Sequence, residues 1–190
     1  MKNLLREIRS CRHCEEFLES GVNPIVAASP KSRIIVIGQA PGRIVHETGI
    51  PWNDKSGDNL RNWLGVDKAT FYDPEIIALI PMGFCYPGKG KTGDLPPRPE
   101  CAPLWHNKLL TLLPKAELVL LIGQYAQNYY LGDKAKAALT DTVRNFKAYL
   151  PTYFPLPHPS PRNNIWQAKN AWFEKNVLPV LKKKIKSVVG

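Results

Sequence analysis

The sequence predicts an α/β protein, a three-layer α/β/α domain built on a central four-stranded parallel sheet. Three observations predict it. Four short apolar runs rich in β-branched residues have the length and composition of strands buried on both faces. The stretches between them carry apolar residues at helical spacing, as crossover helices require. The runs also open into turns marked by glycine and proline. At 190 residues, with no internal repeat and no break in composition, the chain fits one domain spanning 1–190.

Taken in order, residues 3–10 form a short helix ending at Cys11. Arg33-Ile34-Ile35-Val36-Ile37-Gly38 is the first strand and opens directly into the tight turn Gln39-Ala40-Pro41-Gly42. A helix follows over 56–64, with Leu60, Trp63 and Leu64 on one face. Glu75-Ile76-Ile77-Ala78-Leu79-Ile80 is the second strand, ended by Pro81, and a long Pro/Gly loop leads from it to an amphipathic helix over 101–113. The third strand is 117–123, with a helix behind it over 124–131. The fourth is 149–156, running into Pro157-His158-Pro159-Ser160-Pro161-Arg162. A last long helix carries Trp166, Trp172 and Phe173. Open sheets of this kind bind ligands beyond the carboxyl ends of their strands. The turn 39–42 and the segment 158–162 both fall at such ends, so two polar, rigidly shaped loops converge on one cleft.

A net charge of +10 and a pI near 9.5 suit a polyanionic partner, because each Lys or Arg set against a phosphate releases condensed counterions. A solvated basic surface is the plainer alternative. The densest run, Lys182-Lys183-Lys184-Ile185-Lys186, closes the last helix, where it complements the helix dipole. No run approaches the ~18 apolar residues of a membrane span. The first residues carry charge where a secretion signal needs an apolar stretch. The expectation is a soluble, cytoplasmic monomer. Most of the 18 prolines lie in 81–103 and 151–161, which makes those segments shaped loops rather than linkers.

Two motifs carry a resemblance. Gly38-Gln39-Ala40-Pro41-Gly42, followed by Thr48-Gly49-Ile50-Pro51-Trp52 and in spacing through Gly57 and Leu60, resembles the first motif of the uracil-DNA glycosylase superfamily. It is closest to the iron–sulfur members of family 4. His158-Pro159-Ser160-Pro161-Arg162-Asn163 is similar to the second motif of the single-strand-selective monofunctional glycosylases. The resemblance spans nearly the whole chain.

The resemblance implies an enzyme that flips a damaged base out of DNA into a pocket. Trp52 takes the place of the stacking aromatic, a core tryptophan being the alternative. Gly38, Gln39, Ala40 and Pro41 form the turn whose amides line the pocket, and Gly42 permits close approach. His158 stabilises the negative charge that builds on the departing base. Ser160 and the prolines grip the DNA backbone, and Pro161-Arg162 enters the duplex, with Asn163 completing the DNA-binding segment. A simple phosphate contact is the alternative for Arg162.

Three departures matter. Family 4 has a glutamate where Gln39 stands, and the best-known uracil glycosylases have an aspartate where Ala40 stands. The turn therefore lacks a carboxylate to orient water. Asp54 is the preferred replacement and Gln39 occupies the catalytic position itself, with His46 and Glu47 as further candidates. Finally, Pro81 occupies the place of the uracil-reading asparagine, so the substrate is open between uracil and another deaminated base such as hypoxanthine or xanthine. A DNA-binding module that has lost catalysis is the remaining alternative. No lysine lies in either motif to form a Schiff base, which predicts a monofunctional enzyme.

The four cysteines, Cys11, Cys14, Cys85 and Cys101, follow a Cys-x2-Cys, long gap, Cys-x15-Cys pattern that points to metal rather than disulfides. Spacing alone admits zinc or an iron–sulfur cluster. The resemblance to family 4 implies a [4Fe–4S] cluster with a structural role, ordering the 85–101 loop, whose Lys89, Lys91 and Arg98 are expected along DNA. Gly88-Lys89-Gly90-Lys91-Thr92 looks like part of a phosphate-binding loop but is rejected. The motif needs glycine where Cys85 stands, and Pro96-Pro97 cannot open the helix that must follow.

Overall fold

A computed structural model describes residues 1–190. In its first strand, β1 (Ile34–Gly38), every residue is buried. Ile34 and Val36 enter one apolar layer and Ile35 and Ile37 the other, the period-2 alternation of a strand covered on both faces. With β2 (Ile77–Pro81), β3 (Leu118–Ile122) and β4 (Tyr153–Leu156) it forms a sheet in the order β2-β1-β3-β4. All pairings are parallel, with Ile34 level with both Ile77 and Leu118 and Val119 level with Tyr153. Gly38 is level with Pro81, so the ends of β1 and β2 finish side by side.

Helices α1 (Lys2–Arg9), α2 (Arg43–Thr48), α3 (Lys55–Leu64), α4 (Lys68–Tyr72), α5 (Cys101–Leu110), α6 (Gly123–Leu131), α7 (Leu139–Arg144), α8 (Asn164–Lys169) and α9 (Leu178–Val189) complete the chain. On one face Leu60, Trp63 and Leu64 of α3, Phe71 of α4 and Leu181, Ile185 and Val188 of α9 pack on Ile34 and Val36. On the other, Leu5 and Ile8 of α1, Trp105 and Leu109 of α5 and Ala126 of α6 pack on Ile35 and Ile37. The three-layer α/β/α architecture is therefore as the apolar periodicity predicts. No helix is long and apolar enough to cross a membrane.

Several boundaries differ from the sequence reading. The fourth strand starts at Tyr153, because Phe146–Tyr149 form a 3-10 turn whose Tyr149 hydroxyl donates to the Lys134 carbonyl at 2.8 Å. Pro151 lacks the N–H a ladder needs. β2 runs through Pro81, tolerated because β2 is an edge strand. That edge is shielded by Ala27, which pairs antiparallel with Leu79. The expected last long helix is three pieces. After α8, the Asn170 amide donates to the Trp166 carbonyl at 2.8 Å and accepts from the Trp172 indole at 3.0 Å, and a π turn over Phe173–Val177 precedes α9. Helix α5 ends at Leu110, three residues short of the expected 113. The short helices α2, α4 and α7 offer too few turns for an apolar stripe to show.

One small element bears on the site. Lys89 and Asp94 pair antiparallel, with Gly90 N–H to the Gly93 carbonyl at 2.6 Å and Leu95 N–H to the Gly88 carbonyl at 2.9 Å. The segment 88–95 is thus a hairpin.

Candidate active site

The turn after β1 is fastened to the end of β2. Met82 N–H donates to the Gly38 carbonyl at 2.8 Å and Gly83 N–H to the Gln39 carbonyl at 3.0 Å. Beyond these ends opens a cleft of about 430 Å³. Gly38, Gln39, Ala40, Pro41 and Gly42 form one side, and Trp52, Asp54, Pro81, His158, Ser160 and Arg162 also line it. Two distant motifs therefore meet in one cavity, as the strand-end positions predict.

Trp52 is held in an unusual backbone. Its φ of 58° is the one positive value among the non-glycine residues, a conformation that costs roughly 1–3 kcal/mol and persists only where the surroundings impose it. They do so through its carbonyl, which accepts from the Tyr72 hydroxyl at 3.2 Å and from Arg61 Nη1 at 3.5 Å. Arg61 is buried, lies over the rings of Phe71 and Tyr72, and pairs with Asp58. Glycine is required where the backbone passes. A Cβ on Gly57 would stand 1.8 Å from the Trp52 oxygen, and one on Gly38 would stand 2.7 Å from Trp52 Cζ2. The indole thus leans on the end of β1, touching the core behind and lining the cleft in front. It belongs both to the core packing and to the cleft wall.

His158 is fixed on each side. The amide of Asn163 donates to its carbonyl at 2.7 Å, and Asn59 of α3 donates to the Pro159 carbonyl at 2.9 Å. The Ser160 N–H donates to His158 Nδ1 at 3.2 Å. A ring nitrogen that accepts carries no proton, so the neutral ring holds its proton on Nε2. Burial holds the imidazole below its ordinary pKa, and the carboxylates of Asp54 and Asp94 pull the other way without reversing this. The site presents a neutral N–H donor. Its ring lies 6.0 Å from that of Trp52, at 30° to it.

The remaining sequence candidates divide. Asp54 lines the cleft, yet its Oδ1 caps α3 by accepting from Gly57 N–H at 2.8 Å. His46 and Glu47 are directed elsewhere: His46 Nε2 meets the Ser20 carbonyl at 3.1 Å, and Glu47 pairs with Arg43 at 2.6 Å. Pro161 opens an exposed 3-10 turn, and Asn163 positions His158 rather than lining the cavity. Arg162 reaches across to donate to the Thr92 carbonyl at 3.3 Å, tying the His158 segment to the hairpin.

Sequence reasoning missed several residues. Asp94 and Leu95 of the hairpin line the cleft. The cue for them is the glycine-flanked turn Gly90-Lys91-Thr92-Gly93, a hairpin signal. His106 of α5, buried, meets the Pro81 carbonyl with Nε2 at 2.9 Å and the Tyr130 hydroxyl with Nδ1. Burial lowers its pKa to about 4. Nothing in the sequence marks it.

Cys11 and Cys14 follow α1, Cys85 follows β2, and Cys101 is the first residue of α5. All four are free thiols lining one small, mostly apolar cavity. Burial, seconded by the neighbouring thiols, pushes Cys85 up to about 11 and Cys101 up to about 12. No three His, Cys, Asp or Glu side chains are grouped closely enough to hold a metal ion. Arg98, expected along DNA, instead lines this cavity, lies 4.1 Å over the Phe17 ring and pairs with Glu100 at 2.7 Å. Lys89 and Lys91 are exposed on the hairpin.

The family model of the uracil DNA glycosylase superfamily matches residues 26–182, from just ahead of β1 into α9.

Proposed function

The chain belongs to the uracil DNA glycosylase superfamily, and from that footing we propose that it is a monofunctional DNA glycosylase acting on uracil. The observation that carries the reading is the pairing of a strained, immobilised indole with a neutral histidine donor across one cleft.

A flipped base enters the cleft and stacks on Trp52, a contact worth roughly 1–3 kcal/mol. As the N-glycosidic bond lengthens, its electron pair moves into the base. His158 Nε2–H donates to the carbonyl oxygen where that charge collects. One pre-positioned donor of this kind contributes about 2.7–4 kcal/mol to such a transition state. Neutrality of the ring leaves the base as a hydrogen-bonded anion. Water then adds to the sugar carbon. No lysine lines the cleft, so nothing forms an imine with the sugar and the DNA strand stays intact. Arg162, Lys89 and Lys91 supply positive charge at the rim for the phosphate backbone.

A second reading has one observation in its favour. Pro81 has no N–H, and its carbonyl is already met by His106, so the end of β2 offers no paired donor and acceptor for the uracil edge. Hypoxanthine or xanthine is the alternative substrate on that ground.

What supports the [4Fe–4S] cluster that the resemblance to family 4 implies is the placing of the cysteines around one cavity. Four free thiols converge from three segments with no disulfide among them. The same four thiolates also admit a zinc ion. Cys11, Cys14, Cys85 and Cys101 would hold the cluster, and it would supply a cross-link between α1, the end of β2 and α5, taking no part in the hydrolysis.

The test is base release from uracil-containing oligonucleotides by the wild type and by His158→Ala. Release by the wild type, no nick without alkali, and loss of turnover with DNA binding retained in the variant support the reading. Equal release by both proteins overturns the role of His158. Binding without release by either leaves a DNA-binding module.

A further inference from the structure

The cleft contains a carboxylate that neither motif supplies. Asp94 stands on the hairpin 88–95 and lines the same cavity as Trp52 and His158. Its Oδ2 lies 3.5 Å from where a Gly42 Cβ would be, so it overhangs the end of the turn that lacks an acid at Gln39 and Ala40. The hairpin is not loose there. Arg162 holds the Thr92 carbonyl at 3.3 Å, and its Nη1 stands 3.3 Å from where a Gly93 Cβ would be, fastening Asp94's element to the segment that bears His158.

The charge itself is informative. The protein carries a net charge of +10, and an exposed carboxylate at the mouth of a cleft for DNA opposes phosphate binding. None of the ion pairs in the fold neutralises Asp94. Asp54, the other acid of the cleft, is in no ion pair either, but one of its oxygens is committed to Gly57 N–H at the positive end of α3, whereas the side-chain partner of Asp94 is the neutral Tyr86 hydroxyl. Asp94 caps no helix.

Resting on the glycosylase reading, we propose that Asp94 is a catalytic carboxylate of this site, holding the attacking water against the sugar and taking its proton. The water oxygen bonds to the sugar carbon as the carbon–nitrogen bond breaks. The electron pair of that bond leaves with the base, whose oxygen is hydrogen-bonded by His158. One water proton passes to Asp94 and from there to solvent, and the departed base anion takes a proton from solvent. Base, abasic sugar and one consumed water balance.

The charged and titratable groups around Asp94 are Tyr86 beside it, the Arg43–Glu47 pair of α2, Lys89 across the hairpin, Arg162, and His158 with Asp54 within the cleft.

The experiment is single-turnover base release by wild type, Asp94→Asn, Asp94→Glu and Asp54→Asn. It is read beside affinity for DNA carrying an abasic site and the melting temperature. Asp94→Asn is expected to lower the rate about a hundredfold, within the usual span for a proton-transfer group. It should also bind abasic DNA as tightly as wild type or tighter. Asp94→Glu is expected to recover part of the rate. An Asn variant within about threefold of wild type overturns the proposal, as does one whose DNA affinity and melting temperature fall with its rate. A wild type that binds DNA but releases no base overturns the glycosylase reading, and the role of Asp94 with it.

Discussion

The indole of Trp52 and the imidazole of His158 lie 6.0 Å apart between centroids, their planes 30° from each other. One residue arrives on the loop between α2 and α3, the other just past β4. Their meeting depends on groups that never touch a substrate. Gly57 and Gly38 make room for Trp52, Tyr72 and Arg61 hold its carbonyl, and Asn59 and Asn163 hold the backbone at His158. The chemistry therefore inherits its geometry from the face of α3.

Gly57→Ala tests that dependence. Its Cβ cannot coexist with the Trp52 oxygen at 1.8 Å, so either α3 or Trp52 moves. A displacement of this size costs about a hundredfold in rate. Base release should fall by that order while DNA affinity changes far less, and Tyr72→Phe, which removes one hydrogen bond to Trp52, should cost only about 1 kcal/mol of stability. A Gly57→Ala enzyme of wild-type rate would show that the Trp52 backbone is not limiting.

The protonation of His158 has a definite expectation. Because burial lowers its pKa, the ring stays neutral as pH falls through about 6.5, where a free histidine titrates. Ring nitrogen shifts followed by NMR should show the Nε2–H tautomer throughout that window, and base release should be level across it. Titration of His158 at or above 6.5 would contradict the burial argument.

His106 ties stability to pH. Its folded pKa of about 4 lies below the ordinary 6.5, so the unfolded chain binds the extra proton between those values. The contribution is complete above about pH 6.5 and is lost as pH falls toward 4, about 3 kcal/mol in all. Denaturant unfolding of wild type should show this loss, and His106→Gln should flatten it. Parallel pH profiles for the two proteins would assign the loss to other groups.

The cysteine cavity is tested by colour and metal content. Protein purified without oxygen should show a broad absorption near ~400 nm from iron–thiolate chemistry. Cys11→Ala should lose both the band and the iron. A colourless wild type holding one zinc per chain would replace the cluster with zinc.

Much of this fold was legible because strands buried on both faces are continuous apolar runs, and 33–38, 75–80 and 117–123 are such runs. The breaks were less legible. Nothing marks Asn170 as the residue that ends α8 with its own side chain, and Tyr149 looks like strand although it belongs to the turn before β4. At the site, His158 and Trp52 stood out through their motifs. Asp94 did not, because its approach to Gly42 is a tertiary contact made by a hairpin. The left-handed backbone of Trp52 and the buried His106 are likewise products of packing, which local sequence does not encode.

The most direct test is base release from oligonucleotides carrying uracil, hypoxanthine, xanthine or a thymine mismatch, in single and double strands. A glycosylase of the proposed kind frees uracil and leaves an alkali-labile site with the strand intact. Release of hypoxanthine or xanthine alone would move the specificity to the Pro81 wall. No release from any substrate, by protein with its cysteine site loaded, would contradict catalysis at the Trp52–His158 cleft.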